Sequence, residues 1–178
     1  WSIGFRFNEA EPLPFNNETY FNIIPPSIRW WYADPFCVKH EGKYYIFCEM
    51  LDAFSGIGSI GVFEYSNGRV STAKQVIKES FHMSYPNVFY YKDNYYMIPE
   101  TGKSKQIRLY KALEFPYKWV LDTILDDDIE VVDSTILTIE DKKYLFTYEV
   151  AENSNKLLIF QFDIDNRILV RTNDSMIL

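Results

Sequence analysis

The sequence predicts an all-β fold, a β-propeller assembled from four-stranded units, and three observations carry that prediction. Aromatic residues make up 18% of the 178-residue chain, including 14 Tyr and 14 Phe, and such side chains suit pleated strands better than helix interiors. No long window shows helical periodicity, and the best short candidate, TAKQVIKES, fits an outer strand equally well. A strand–turn–strand pattern also returns with a period near fifty residues, as ADPFCVKHEGKYYIFCEM (33–50), SYPNVFYYKDNYYMIPET (84–101) and DSTILTIEDKKYLFTYEV (133–150). Units of ~40–50 residues with four strands each are the signature of a propeller. A β-sandwich or barrel of short strands is the competing architecture.

The whole chain, 1–178, reads as one propeller domain or part of one: lead-in 1–32, then repeats at 33–80, 81–131 and 132–178. WSIGFRF (1–7) reads as a strand that completes a blade formed elsewhere, and 8–28, with four of the eight prolines, as an irregular connection. In the first repeat a Glu41-Gly42 turn pairs residue 37 with 46 and Asp34 with Glu49, and in the second a Lys92-Asp93 turn pairs Tyr85 with Glu100. The third, aligned on Glu149, sets Ser134 opposite that residue and leaves Asp133 one position off unless a bulge re-aims it. A second strand pair follows each glutamate, with turn residues at Asn67-Gly68 and Asp165-Asn166. Glu49, Glu100 and Glu149 thus mark one rim. Closed propellers typically have about four to eight blades, so three repeats imply further blades or an enzyme domain outside this chain, or self-association through open blade edges.

A net charge of −7 and a pI of about 4.9 argue against nucleic acid, whose phosphates call for clustered Lys and Arg. No run approaches the ~20 apolar residues of a membrane span, and the first residues lack the basic-then-apolar order of a signal peptide. Cys37 and Cys48 form only a diagonal pair, about 7–8 Å apart and beyond disulfide reach, and read as two buried thiols. Without a CxxC, and with only two histidines, no metal site or cofactor is expected. GIGSIG (56–61) copies the dinucleotide glycine pattern but leads into a strand, where that fingerprint needs a helix. DDD (126–128) and DIDN (163–166) lack a full Ca²⁺ ligand set. NET (17–19) and NDS (173–175) are glycan acceptors only in a secretory pathway, and nothing in the sequence assigns a compartment.

Asp34 stands directly before Pro35 at the start of an inner strand, between aromatics, and is the leading functional candidate; its bland reading is a turn former. The three glutamates either serve the site or lock neighbouring blades through backbone hydrogen bonds. Trp30, Trp31, Tyr32, Tyr85 and Tyr95 offer flat rings with polar tips that suit sugars, or else pack between blades. His82 either bonds a sugar hydroxyl and titrates near neutrality, or is a buried structural histidine.

ADPF followed by GKYYIFCE resembles the first blade of five-bladed propeller glycosidases such as glycoside hydrolase family 43. The succession WSIG, ADPF, YYIFCEM, FHMSYPNVF, YYMIPET, IRLYKALEFPYKW and VDSTI is similar to the N-terminal propeller domain of glucosamine inositolphosphorylceramide transferase-type proteins, a resemblance that covers most of the chain. It implies a five-bladed propeller with a carbohydrate ligand, in which Asp34 matches a general base, Asp133 an orienting Asp and Glu100, loosely, a general acid. Glycoside hydrolysis needs two carboxyls ~5–5.5 Å or ~6.5–9.5 Å apart, one with a raised pKa. Neighbouring cross-strand carboxylates such as Asp34 and Glu49 do not straddle a sugar, so a partner from another blade is expected. The functions implied are glycan binding, with or without hydrolysis, or a non-catalytic glycan-binding or scaffolding role in a larger enzyme; a protein-interaction propeller is a third reading.

Overall fold

The computed structural model describes residues 1–7, 20–150 and 156–172, and the backbone of 176–177. NET, NDS and most of the proline-rich connection lie outside the described residues. The fold is all-β. Strands β1 (Ile3–Phe5) and β2 (Asn22–Ile24) form a small antiparallel sheet. Blade 1 contains β3 (Trp30–His40), β4 (Lys43–Asp52), β5 (Gly58–Ser66) and a broken outer strand, β6 (Arg69–Val70) and β7 (Lys74–Ile77), both paired with β5. TAKQVIKES is therefore strand where it is regular. Blade 2 contains β8 (Ser84–Tyr91), β9 (Asn94–Glu100), β10 (Gln106–Glu114) and β11 (Lys118–Asp127), and a 3-10 turn, Gly102–Ser104, links β9 to β10. Blade 3 contains β12 (Val131–Ile139), β13 (Lys142–Glu149), β14 (Lys156–Asp163) and β15 (Ile168–Arg171), with β16 (Met176–Ile177) also on β14.

The three inner hairpins reverse through two residues with positive φ: Glu41-Gly42 (46° and 76°), Lys92-Asp93 (42° and 61°) and Glu140-Asp141 (47° and 65°). Turns of that hand match the right-handed twist of the strands they join. The expected register holds next to the first two turns, with Phe36 opposite Phe47 and Asn87 opposite Ile98, whereas in the third repeat Thr135 stands opposite Phe146. It then slips at a bulge, so that Ala33, not Asp34, faces Glu49; Ser84, not Tyr85, faces Glu100; and Val132 faces Tyr148. The bulge residues Asp34, Tyr85 and Asp133 take left-handed φ of 51°, 45° and 54°. Pro35 and Pro86 follow the first two, which a bulge tolerates because it frees a residue from the ladder.

Alignment on the turns corrects the third repeat. Tyr148 holds the place of Glu49 and Glu100, and Glu149 lies one residue beyond, opposite Val131. Strand alternation puts Glu149 on the face of buried Leu145 and Thr147, away from the position expected for it. Ser134 does not oppose Glu149 either: it is buried, with its hydroxyl 2.8 Å from that of Thr147.

Apolar clusters cement the sheets in series. Ile3 and Ile24 cover Tyr32, Ile46, Met50 and Phe63 on the first face of blade 1. Phe47, Ile60 and Val62 meet Met97, Tyr110 and Trp119 between blades 1 and 2, and Ile98, Ile107 and Leu109 meet Leu145, Leu158 and Phe160 between blades 2 and 3. Within WSIGFRF, β1 pairs with β2 and Ile3 packs on blade 1. Both cysteines are free, and Cys37 is opposite Ile46 as expected, but only Cys48 is buried. Among the described residues, no helix is long and apolar enough to cross a membrane.

Candidate functional site

The three bulges build the site. Each forces one inner-strand residue into the left-handed region, and the first and second blades interlock through the result: Asp34 Oδ2 accepts the backbone N–H of Tyr85 at 3.3 Å. The second and third interlock through a carboxylate of the returning strand instead, with Glu100 Oε2 accepting the N–H of the bulge residue Asp133 at 3.3 Å. Glu100 therefore does lock neighbouring blades. Glu49 instead meets the segment before β8, where its Oε1 lies 3.2 Å from His82 Nε2. The other ring nitrogen of His82, Nδ1, accepts the N–H of Gly58 at 3.0 Å. The Gly58 carbonyl accepts the N–H of Met83 at 3.0 Å, so the start of β5 holds His82 from both sides.

A cavity of about 340 Å³ opens beside Asp34, Glu49 and His82, walled by Trp1, Trp31, Tyr32, Ala33 and Leu51. Its lining carries two carboxylates and no Lys or Arg. A second cavity of about 480 Å³ adjoins it, lined by Glu100, Gly102, Lys103, Glu130 and again His82. Burial pushes the Asp34 carboxyl above its ordinary value, with the negative charges of Glu49 and Asp133 adding to the effect against the opposing Tyr85 bond and His82. Glu100 is raised likewise, first by burial. The hydrogen bond to Glu49 holds His82 above its ordinary value despite partial burial.

Asp34, Glu49, His82 and Trp31 are therefore brought together, and Glu100 stands in the adjoining cavity. Asp133 is exposed at the rim and close enough to influence the charges of Asp34 and Glu100. Three of the expected stacking residues are engaged in packing. Trp30 falls on the opposite face of β3 from Trp31, packs into the cluster under β1 and β2, and carries the Arg29 guanidinium 4.9 Å from its ring. Tyr85 meets Phe36 of blade 1 edge-on at 5.0 Å and brings its hydroxyl within 3.0 Å of Thr135 Oγ1 of blade 3, so it ties blades together. Tyr95 is a packing residue, stacked on Phe115 at 3.7 Å. The carboxylates of DIDN are already engaged: Asp163 accepts the Asn166 N–H, and Asp165 pairs with Lys92 of the blade 2 turn.

Sequence reasoning missed Trp1 and Gly58. Trp1 reaches the cavity only because β1 packs on blade 1, which no local pattern announces. Gly58 did leave a trace, as the second glycine of GIGSIG. A Cβ there would stand 2.5 Å from the Met83 carbonyl oxygen, 2.8 Å from Glu49 Oε1 and 2.9 Å from His82 Cε1. Gly58→Ala is therefore expected to cost about 1–3 kcal/mol by overpacking and to shift the His82 ring resonances, as checked by chemical denaturation and NMR.

The raised carboxyls make stability depend on pH with a definite sign. A group whose pKa is higher in the folded state stabilises the fold below its unfolded value, about 4 for carboxyls, and that contribution is lost as pH rises through the folded value. The Asp34→Asn/Glu100→Gln double variant should therefore melt above the unsubstituted chain at pH 7–8, with the gap closing toward pH 4. Thermal melts across that range check it.

Residues 25–162 match the sequence family described as glucosamine inositolphosphorylceramide transferase 1, N-terminal. Two relatives, both glucosamine inositolphosphorylceramide transferase 1, come from Oryza sativa subsp. indica (34% identical over 124 residues) and Arabidopsis thaliana (33% over 108 residues). The matches take in 68% and 59% of this chain but only 16% and 14% of those proteins. Among solved structures, the Bombyx mori GH32 β-fructofuranosidase BmSUC1 superimposes with a TM-score of 0.67 at 12% identity, over 89% of this chain and 39% of that one. The catalytic domain of the Coprinopsis cinerea GH62 α-L-arabinofuranosidase gives 0.63 at 15% identity, over 86% and 58%. At such identities the likeness shows the fold, a glycosidase-like propeller. On the sequence match, the chain belongs to the family of glucosamine inositolphosphorylceramide transferase N-terminal domains.

Proposed function

We infer that this chain recognises a glycan at the Asp34 rim and does so as part of a larger sugar-modifying protein. The cavity beside Asp34 carries the reading. Trp1 and Trp31 offer flat apolar surface, and Asp34 and Glu49, the latter held by His82, offer acceptor oxygens within the same 340 Å³, a combination suited to a ligand with C–H faces and a hydroxyl rim. Relatives named as glucosamine inositolphosphorylceramide transferases, and fold neighbours named as glycosidases, favour a sugar as the ligand. Calorimetric titration with neutral and amino-sugar oligosaccharides tests it. Saturable binding is expected, and Asp34→Asn should keep it, because an amide oxygen still accepts the Tyr85 N–H. Absence of saturable binding by every sugar of both kinds would overturn the reading.

One observation favours hydrolysis as a second reading: Asp34 and Glu100, both with raised pKa, line adjoining cavities that meet at His82. In that case Asp34, ionised, takes a proton from water as its oxygen attacks the anomeric carbon. Protonated Glu100 gives its proton to the leaving oxygen as the glycosidic bond breaks, and Asp133 orients the sugar. Product analysis with Asp34→Ala separates the readings: hydrolysis retained by that variant removes Asp34 as the base.

A further inference from the structure

A further cavity, of about 340 Å³, opens at the rim end of blade 1, between the start of β3, the end of β4 and the link from β7 to β8. Trp31 and Leu51 wall the Asp34 cavity, and their strand neighbours Trp30 and Asp52 wall this one, so the same two strand ends stand between the pair. The two differ in charge. The Asp34 lining has two carboxylates and no Lys or Arg, whereas this one sets Arg29 and Lys78 beside Asp52 and Glu79.

Both carboxylates are already committed. Asp52 Oδ1 accepts the N–H of Phe54 at 3.0 Å, and its Oδ2 accepts Nε and Nη2 of Arg29 at 3.1 and 2.8 Å. Glu79 Oε1 accepts the Tyr110 hydroxyl at 2.9 Å and lies 3.5 Å from Nη1 of Arg108, a blade 2 guanidinium outside the lining. Each acid thus has its own arginine, and Lys78 is the unmatched charge: among the described residues it enters no hydrogen bond or ion pair. Arg29 keeps both N–H groups of Nη1, because Asp52 takes only Nε and Nη2. The Ser80 hydroxyl is also unspent. Gln75 donates one Nε2 proton to the buried Ser59 hydroxyl at 2.8 Å and keeps the other. Against these donors, the unspent acceptors are Oε1 of Gln75 and Oε2 of Glu79. The cavity is therefore donor-rich, with two cationic donors, and buried Asp52 and Ser59 hold Arg29 and Gln75 in place.

We propose that this cavity binds the phosphate or carboxylate of an anionic ligand, with Lys78 and the free edge of Arg29 as charged donors and Ser80 and Gln75 beside them. Charge-assisted N–H···O bonds are roughly twice as strong as neutral ones, so these groups select an anionic oxygen over a sugar hydroxyl. The inference stands on this cavity's own side chains and holds whether or not the Asp34 rim takes a glycan.

An NMR titration of the chain with glucose 6-phosphate, glucuronate and glucose, at constant ionic strength, tests it. Saturable shifts of the Gln75 side-chain amide and the Ser80 backbone N–H are expected with at least one of the two anions and not with glucose, and comparison of the anions tells a phosphate site from a carboxylate site. Lys78→Gln should weaken the binding about tenfold, the scale of one hydrogen bond to a charged group. Lys74→Gln, which removes an exposed lysine of β7 outside the cavity, should leave it unchanged. Absence of saturable shifts with both anions overturns the proposal, as does an equal response to glucose. Equal losses from the two lysine variants overturn it too, being the mark of diffuse charge attraction. The Tyr85 and Gly58 amides report the Asp34 cavity separately, so a failure here is distinguishable from a failure of glycan recognition there.

Discussion

Replacing Phe47 by alanine is expected to lower the unfolding free energy by about 3–5 kcal/mol, the usual range for truncating a large aromatic in a core. Phe47 is fully buried, meets Trp119 edge-on at 5.7 Å and Phe115 at 5.8 Å, and sits where blades 1 and 2 join. Collapse of neighbours into the space is restricted, because strands on both sides are fixed by their ladders. Against a typical domain stability of about 5–15 kcal/mol, that loss is large enough to separate blade 1 from blade 2. Urea denaturation measures it, and a loss below about 1 kcal/mol contradicts the packing described. The same substitution should disturb the site, since Asp34 and the Tyr85 amide belong to the two blades that Phe47 joins.

Trp31→Ala carries the largest expected effect on binding. Trp31 is 44% exposed and walls the Asp34 cavity, so its indole is free to cover a ligand. Losing such a ring removes its apolar contact area, at roughly 25 cal/mol per Å², and its ring-face preference. A tenfold or larger loss of glycan affinity follows, since each factor of ten is about 1.4 kcal/mol. Melting temperature should hardly move, because the residue is not part of a core. Trp30→Ala is the matched control: its ring packs under β1 and β2, so it should cost stability and leave affinity nearly intact. Calorimetry on both variants reads the contrast.

Much of the fold was legible because its determinants are local. The Glu41-Gly42 and Lys92-Asp93 reversals, and the aromatic strands beside them, set blade order and register near each turn. The bulges were hidden. No strong propensity marks a left-handed Tyr85, and the proline that follows two of the three bulge residues also suits a strand start. The third hairpin reverses at Glu140-Asp141 without a glycine to mark it, so an alignment that relied on Glu149 slipped by one residue. In the site, Asp34, Trp31, Glu49 and His82 could be found because each sits at or near a strand end aimed at the rim. Trp1 and Gly58 could not, since each matters through contacts made across the chain. For Trp30 and Tyr85 the choice between stacking on a ligand and packing between blades stayed open, because composition alone does not tell which face of a strand a ring takes.

The most direct test of glycan recognition at the Asp34 rim uses two backbone amides as reporters. The N–H of Tyr85 is bound to Asp34 and that of Gly58 to His82, so a ligand entering the cavity must alter both. In an NMR titration with a bound oligosaccharide, these two amides and the Trp31 indole should shift saturably with one common dissociation constant, and Trp31→Ala should abolish the shifts at the same ligand concentrations. Saturable shifts confined to other surfaces, with Tyr85, Gly58 and Trp31 unmoved, would contradict the account.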